Sequence, residues 1–266
     1  MKTIEMKEVS EEISFLKRIL PFVIIIFIWW VLTSVFKIIP AYILSSPRAV
    51  IKSALKLIKE GVLLNAIFSS LGRMVGGLLV GTVTGIVLGV LVGTNKYVTY
   101  FVDPLAKFFQ AVAGPTWIPL AILWFGMSWS AVVFIVFNTV FFIVFYNTLM
   151  GIETVNQRLV DSIYTLGGKK WDVLKEVLIP GAVPSIIVGI RLGIGYGWRS
   201  LIAGEIIADG QGLGVLIWEG QRLFRIYDII LGLILIGIVS YFMDKVIMRT
   251  LEKNTIQKWR MITNDL

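Results

Sequence analysis

The side chains that carry most protein chemistry are nearly absent from this sequence. Its 266 residues include no His and no Cys. That removes imidazole bases, thiolate nucleophiles, disulfides and the usual zinc and haem ligands, so no catalytic residue and no metal site is expected. The run Gly167-Gly168-Lys169-Lys170 lacks the hydroxyl residue and the glycine spacing of a phosphate loop, so nucleotide hydrolysis by this chain is not expected either. What remains is charge in apolar surroundings. Arg73, Arg191 and Arg199 lie inside apolar segments, and Glu205 and Asp209 follow shortly after Arg199. Charge at membrane depth is costly, which makes each such residue a candidate for function. Arg191 and Arg199 share one segment and stand about 12 Å apart along a helix. Together with Glu205 and Asp209 they form either an internal salt-bridge set that holds a gate or, with Arg199 alone, a contact for an anionic substrate. Arg73, near the start of its segment, is expected to snorkel to the interface.

The elements that must position these charges follow from composition. The chain is 57% hydrophobic and 16% charged, with a mean hydropathy of +0.85. Soluble domains average roughly 45–50% apolar and about 25% charged, so lipid is the solvent this chain is built for. A crossing takes about 20 apolar residues. Six segments qualify, 19–36, 64–93, 105–126, 130–150, 183–207 and 228–248, which predicts an all-α integral membrane protein with about six transmembrane helices. The polar start, 1–18, runs into the first apolar stretch with no small-residue cleavage site after it, so that stretch is expected to be retained. Between the first two spans, SSPRAVIKSALKLIKEG places Val50, Ile51, Leu55 and Ile58 at helical spacing, with Lys52, Lys56 and Lys59 on the other side. This is a short amphipathic helix expected at a membrane surface.

The net charge of +8 does not indicate nucleic acid, because the positive residues flank apolar spans and form no basic groove. With both termini cytoplasmic, the inner segments hold 15 Lys and Arg and the outer ones 7, the bias that sets membrane orientation. Span two carries Gly77, Gly81, Gly85, Gly89 and Gly93, one face of a helix with no side chains, and span five repeats the device with Gly189, Gly193 and Gly197. Both are expected to pack closely against other helices. Pro115 and Pro119, with Gly114, mark a kink in span three and are candidates for lining a pathway.

Between spans four and five lies a structured polar loop. It reads as a short helix from Gln157 to Leu166, a Gly167–Gly168 break, a second amphipathic helix from Trp171 to Leu178, then Pro180 and Pro184 leading into span five. A projecting helix–Gly–helix element is shaped to dock into a partner's groove.

This loop resembles the cytoplasmic EAA loop of ATP-binding-cassette (ABC) importer permeases: E-A-A, three residues, Gly, nine residues, I-x-L-P. Asp161, Ser162 and Ile163 stand at the E-A-A positions, Gly167 at the glycine, and Val177, Leu178, Ile179 and Pro180 at I-x-L-P. The first triplet is softened, but the spacing is kept. PTWIPLAILWFGMS, YNTLMGIETVNQRLVDSIYTLGG and AGEIIADGQGLGVLIWEG extend the resemblance, which is to the permeases of the nitrate, sulfonate and taurine importers. It implies a type I (MetI-like) importer bundle with a cytoplasmic coupling loop and a multi-pass location in the cell membrane among its lipids. It also implies a second permease copy, a pair of cytoplasmic ATPases that bind the ATP and Mg, and an external substrate-binding protein. Asp161, Ser162, Ile163, Leu166, Gly167, Gly168 and Pro180 would then couple to the ATPase. The permease itself would be a non-catalytic subunit without a cofactor. The expected layout is a cytoplasmic N-terminal segment 1–18, a first helix and connector 19–63, a permease core 64–248 with the coupling loop 157–180, and a cytoplasmic tail 249–266. A secondary transporter or channel would share the composition and spans but has no need of the EAA spacing.

Overall fold

The computed structural model describes residues 20–36, 38–208 and 211–251, and all regular structure among them is helical. Asp209, the N-terminal segment 1–18 and most of the tail 249–266 lie outside the described residues. The helices are α1 (Leu20–Val35), α2 (Pro47–Lys59), α3 (Val62–Gly93), α4 (Lys96–Ala111), α5 (Ile118–Phe125), α6 (Trp129–Glu153) and α7 (Gln157–Thr165). Then come α8 (Lys170–Ile207), α9 (Leu213–Arg222) and α10 (Ile226–Leu251).

Helices α3, α6, α8 and α10 are each long and apolar enough to cross a membrane, in line with four of the six expected spans. Of the other two, one needs correction. The stretch 105–126 is not one straight helix: α4 and the segment Gly114–Phe125 meet at an angle of 89°. Val112 and Ala113 are extended there, and Pro115 and Pro119 occupy the first turns of the two short helical pieces that follow. Proline has no N–H to give a preceding turn, so the first turn of a helix is where it fits at least cost. The first span, expected over 19–36, is described from Leu20 to Val35.

Span five corrects the opposite way. The expected separate helix over Trp171–Leu178 and the span after it are one continuous helix, α8. Pro180 would leave a carbonyl of the preceding turn without its donor. The turn Leu174–Leu178 widens to a π-helix instead, with the Ile179 N–H donating to the Leu174 carbonyl, so the chain passes the proline without stopping.

The chain forms two compact units. The larger takes Leu64–Val215 and the residues from Ile234. Its centre is α6, where Ala131, Val132, Ile135, Val136, Val140 and Val144 are wholly buried. The glycine stripe of α3 makes that possible. A methyl group on Gly77, Gly81 or Gly89 would lie 2.6 Å from Val136, 2.9 Å from Val140 or 2.7 Å from Thr148 respectively, inside van der Waals contact. The stripe therefore lets the two backbones approach closely, as the four-residue spacing predicts. On α8, Gly189 and Gly193 do the same towards Asn147 and Val140.

The smaller unit comprises the described residues up to Leu63 together with Leu216–Leu233. Trp29 Nε1 donates to the Ser45 carbonyl at 3.0 Å. The Ser46 hydroxyl caps α2 by accepting from Ala49 N, and the Ser53 hydroxyl donates to Asp228 Oδ1. The buried face of α2 runs along Val50 and Ser53, with Ala54 and Leu57 half-buried. Ile51, Leu55 and Ile58 are exposed, as an interfacial helix requires.

Candidate functional site

Three places in the larger unit bring the singled-out residues into geometry. The first is the loop between α6 and α8. Asn156 caps α7 by accepting from Arg158 N at 3.0 Å. Along the helix, Gln157 donates to Asp161 Oδ1 at 3.1 Å, and the Ser162 hydroxyl donates back to the Arg158 carbonyl at 2.7 Å. After Leu166 the backbone turns left-handed at Gly167, φ +84°, and Gly168 N donates to the Ile163 carbonyl at 2.9 Å. This is a glycine-ended helix terminus, the conformation glycine adopts at least cost. A methyl on Gly168 would come within 2.5 Å of Ile163 Cγ2, whereas Gly167 has open space around it. So Ile163 and Gly168 make the fold of the elbow, while Leu166, 85% exposed, and Trp171, 68% exposed, project from it. α7 has no buried residue. Pro180, by contrast, is buried at the start of the long part of α8.

The second place is a cavity of about 570 Å³ lined by Gln110, Asn138, Thr139, Asn147, Tyr196, Arg199 and Ser200, with Gly114 and Pro115 at its edge. The break between α4 and α5 sits against it. Thr139 and Ser200 share a hydrogen bond of 2.8 Å, and Gly114 packs on that pair so tightly that any side chain there would collide with both hydroxyls. The Arg199 guanidinium lies 5.0 Å from the centre of the Tyr196 ring and makes no ion pair among the described residues. Val112, Phe142, Ile143 and Leu192 give the rest of the lining an apolar character, against which the amides, hydroxyls and the Arg199 cation form a polar patch that suits a small anion.

The third place is a buried ion pair. Arg73, 2% exposed, does not snorkel. Its Nη1 donates to Glu205 Oε1 at 2.8 Å and to the Gln211 carbonyl at 2.6 Å. Glu205, wholly buried, also accepts from Ser70 Oγ at 2.7 Å and from Gly214 N at 2.9 Å. Ser70 in turn accepts from Leu213 N at 2.9 Å. Only a residue without a side chain fits at Gly212, φ +129°, which lies directly on the Glu205 carboxylate. The cluster ties α3, α8 and the start of α9 together. The snorkelling expectation failed because it weighed the distance of Arg73 from a span end and not the carboxylate that the fold brings from 132 positions away.

The five pathway candidates are therefore not one constellation. Arg199 and Pro115 share the cavity, while Pro119 is exposed and lies outside its lining. Arg191 faces Asp244 Oδ1 at 3.8 Å, both side chains at least 40% exposed. Glu205 belongs to Arg73, and not to Arg191 or Arg199. Sequence reading missed Ser70, Asn138, Thr139, Asn147 and Ser200. Their signal was available: each is a polar residue inside an apolar span, where a hydrogen-bonding group needs a partner or a cavity.

A helical bundle with a broken span, an exposed elbow beside a long helix and a cavity at the break is the layout of a membrane-spanning protein. Residues 81–256 match the model of the binding-protein-dependent transport system inner membrane component family. The chain belongs to that family and is a permease subunit of an ABC importer. It is 31% identical over 219 residues to a probable ABC transporter permease of Brucella melitensis biotype 1, covering 82% of this chain and 87% of that one. A putative aliphatic sulfonates transport permease protein, SsuC, of Bacillus subtilis (strain 168) is 28% identical over 247 residues, 93% of this chain and 88% of that one. Among solved structures, the inward-facing MetNI methionine ABC transporter superposes with a TM-score of 0.58 at 16% identity, over 71% of this chain and 96% of the matched one. That likeness concerns the fold.

Proposed function

We propose that this permease imports a small oxyanion or sulfonate, such as nitrate, an alkyl sulfonate or taurine, and that Arg199 meets the anion in the cavity beside the α4–α5 break. The observation that carries the reading is the charge of Arg199. It faces a cavity with amide and hydroxyl groups in its lining and makes no ion pair with a described carboxylate, while Arg73 and Arg191 both do. The kinship with a sulfonate permease supports the same substrate class.

The loop from Asp161 to Gly168 is the part that engages the cytoplasmic ATPase, with Leu166 as the apolar knob and Gly167 as the elbow. Two copies of the chain, each on its own ATPase, would form the pathway. An external binding protein delivers the substrate, and ATP and Mg stay with the ATPase subunits. Closure of the ATPases draws the two loops together and moves the helices of each copy between inward- and outward-open states. Both termini then lie in the cytoplasm, on the side the excess of Lys and Arg favours.

The test is ATP-driven uptake of radiolabelled sulfonate into proteoliposomes holding the permease, its ATPase and its binding protein. Arg199→Gln should abolish concentrative uptake while the ATPase still copurifies. Unchanged affinity and substrate range in Arg199→Gln would remove the anion-site reading. Copurification without Leu166 and Gly167, in a Leu166→Asp, Gly167→Asp variant, would remove the coupling reading.

A further inference from the structure

Helix α2 has three faces, not the two of an ordinary amphipathic helix. Val50 and Ser53, with Ala54 and Leu57, turn inward. Ile51, Leu55 and Ile58, 60%, 57% and 45% exposed, form an uncovered apolar stripe at i, i+4 and i+7. Lys52, Lys56 and Lys59 form a second stripe of the same spacing alongside it. Facing the lysines across a cavity of about 740 Å³ is the turn that begins α10, with Arg225 and Asp228.

The charges in that cavity do not cancel. Glu60 lies 3.8 Å from Lys56. Asp228 is buried and accepts from the Ser53 hydroxyl. Lys52, Lys59 and Arg225 make no ion pair among the described residues. Three cations thus converge on a space beside an apolar stripe, within one compact unit of a membrane protein.

We propose that α2 and Arg225 bind the headgroup of an anionic phospholipid, with its acyl chains lying along Ile51, Leu55 and Ile58. The phosphate accepts from Lys52, Lys59 and Arg225, and the stripe extends the same ligand into the hydrocarbon. A soluble acidic partner would match the cations but leave the isoleucine and leucine stripe in water. A free phosphate or sulfonate would use the cations and ignore the stripe. A lipid satisfies both, because its charged and apolar parts are joined at the spacing of two neighbouring faces of one helix.

The test uses the full chain, purified in neutral detergent and titrated with phosphatidylglycerol or phosphatidylcholine in mixed micelles, with bound lipid counted by native mass spectrometry. Wild type should hold phosphatidylglycerol in preference to phosphatidylcholine. At about fivefold per interfacial cation, the triple variant Lys52→Gln, Lys59→Gln, Arg225→Gln should lose roughly a hundredfold in phosphatidylglycerol affinity. A control of equal charge loss elsewhere, Lys96→Gln, Lys107→Gln, Lys245→Gln, should keep it. Thermal unfolding of each variant checks that the fold is intact. If the triple variant does not fold, Lys59→Gln alone should show the fivefold step. Equal binding by wild type and either variant of this site, an equal loss in the control, or no preference between the lipids overturns the proposal. So does displacement of phosphatidylglycerol by millimolar inorganic phosphate, which would assign the cavity to free anions.

Discussion

Arg73 and Arg199 look alike in the sequence, each an arginine in a glycine-rich apolar span, and the fold treats them in opposite ways. Arg73 is closed off and bound to Glu205 and the Gln211 carbonyl. Arg199 stands at a cavity, over Tyr196, with no described counter-charge. Desolvating a charge is tolerated only when hydrogen bonds and a partner replace the lost water. Around Arg73 the Glu205 carboxylate and the Gln211 carbonyl take that place, so the charge is spent inside the protein and serves architecture. Arg199 stays exposed, so its charge is not desolvated and remains open to the cavity. On the reading proposed above, membrane depth alone does not mark a transport residue, whereas a charge left open to a cavity does.

The sharpest way to break this comparison is at the buried pair. Glu205→Ala strands the Arg73 cation and should cost about 3–5 kcal/mol, read as a large loss of thermal stability in detergent. The double variant Arg73→Met, Glu205→Met should recover most of it. If Glu205→Ala unfolds no earlier than wild type, the pair is not architectural. A smaller loss is expected at Gly114→Ala, about 1–3 kcal/mol, because its methyl group must displace the Thr139–Ser200 pair. The same measurement reads it, and full stability would mean that the α4–α5 break is free to shift. At the elbow, Gly167→Ala has space but the wrong backbone, at a cost of about 1–2 kcal/mol. It should weaken ATPase copurification more than it weakens the fold. Smallest is Arg191→Gln. Its exposed pair with Asp244 should be worth at most about 1 kcal/mol, leaving melting temperature and uptake near wild type. Arg199→Gln belongs with it for stability, yet should lose uptake entirely. A fall in stability matching that of Glu205→Ala would erase the distinction between the two arginines.

Much of this was legible from residue pattern because it depends on short-range physics. Helix length follows from apolar run length, the elbow from Gly167–Gly168, and the α3–α6 contact from five glycines at four-residue spacing. What escaped depends on distance in sequence or on how proline is accommodated. The partner of Arg73 lies 132 positions away, so nothing local distinguished it from a snorkelling arginine. Pro115 and Pro119 break a helix, while Pro180 and Pro184 lie in one that continues. Local composition was similar; an upstream π-turn in one case and two extended residues in the other decided the outcome. The cavity lining comes from α4, the α4–α5 turn, α6 and α8, and only the fold assembles it.

The unbroken run of α8 has a mechanical consequence. From Lys170, beside the exposed elbow, to Ile207, beside the Glu205 cluster, the helix has a contour of about 57 Å. It passes Arg199 on the way. A rod of that length converts a tilt of about 5° at one end into a displacement of about 5 Å at the other. On the coupling reading proposed above, the wide turn at Leu174–Leu178 is where such a lever would be held, and the clamped carboxylate is where its stroke would be felt.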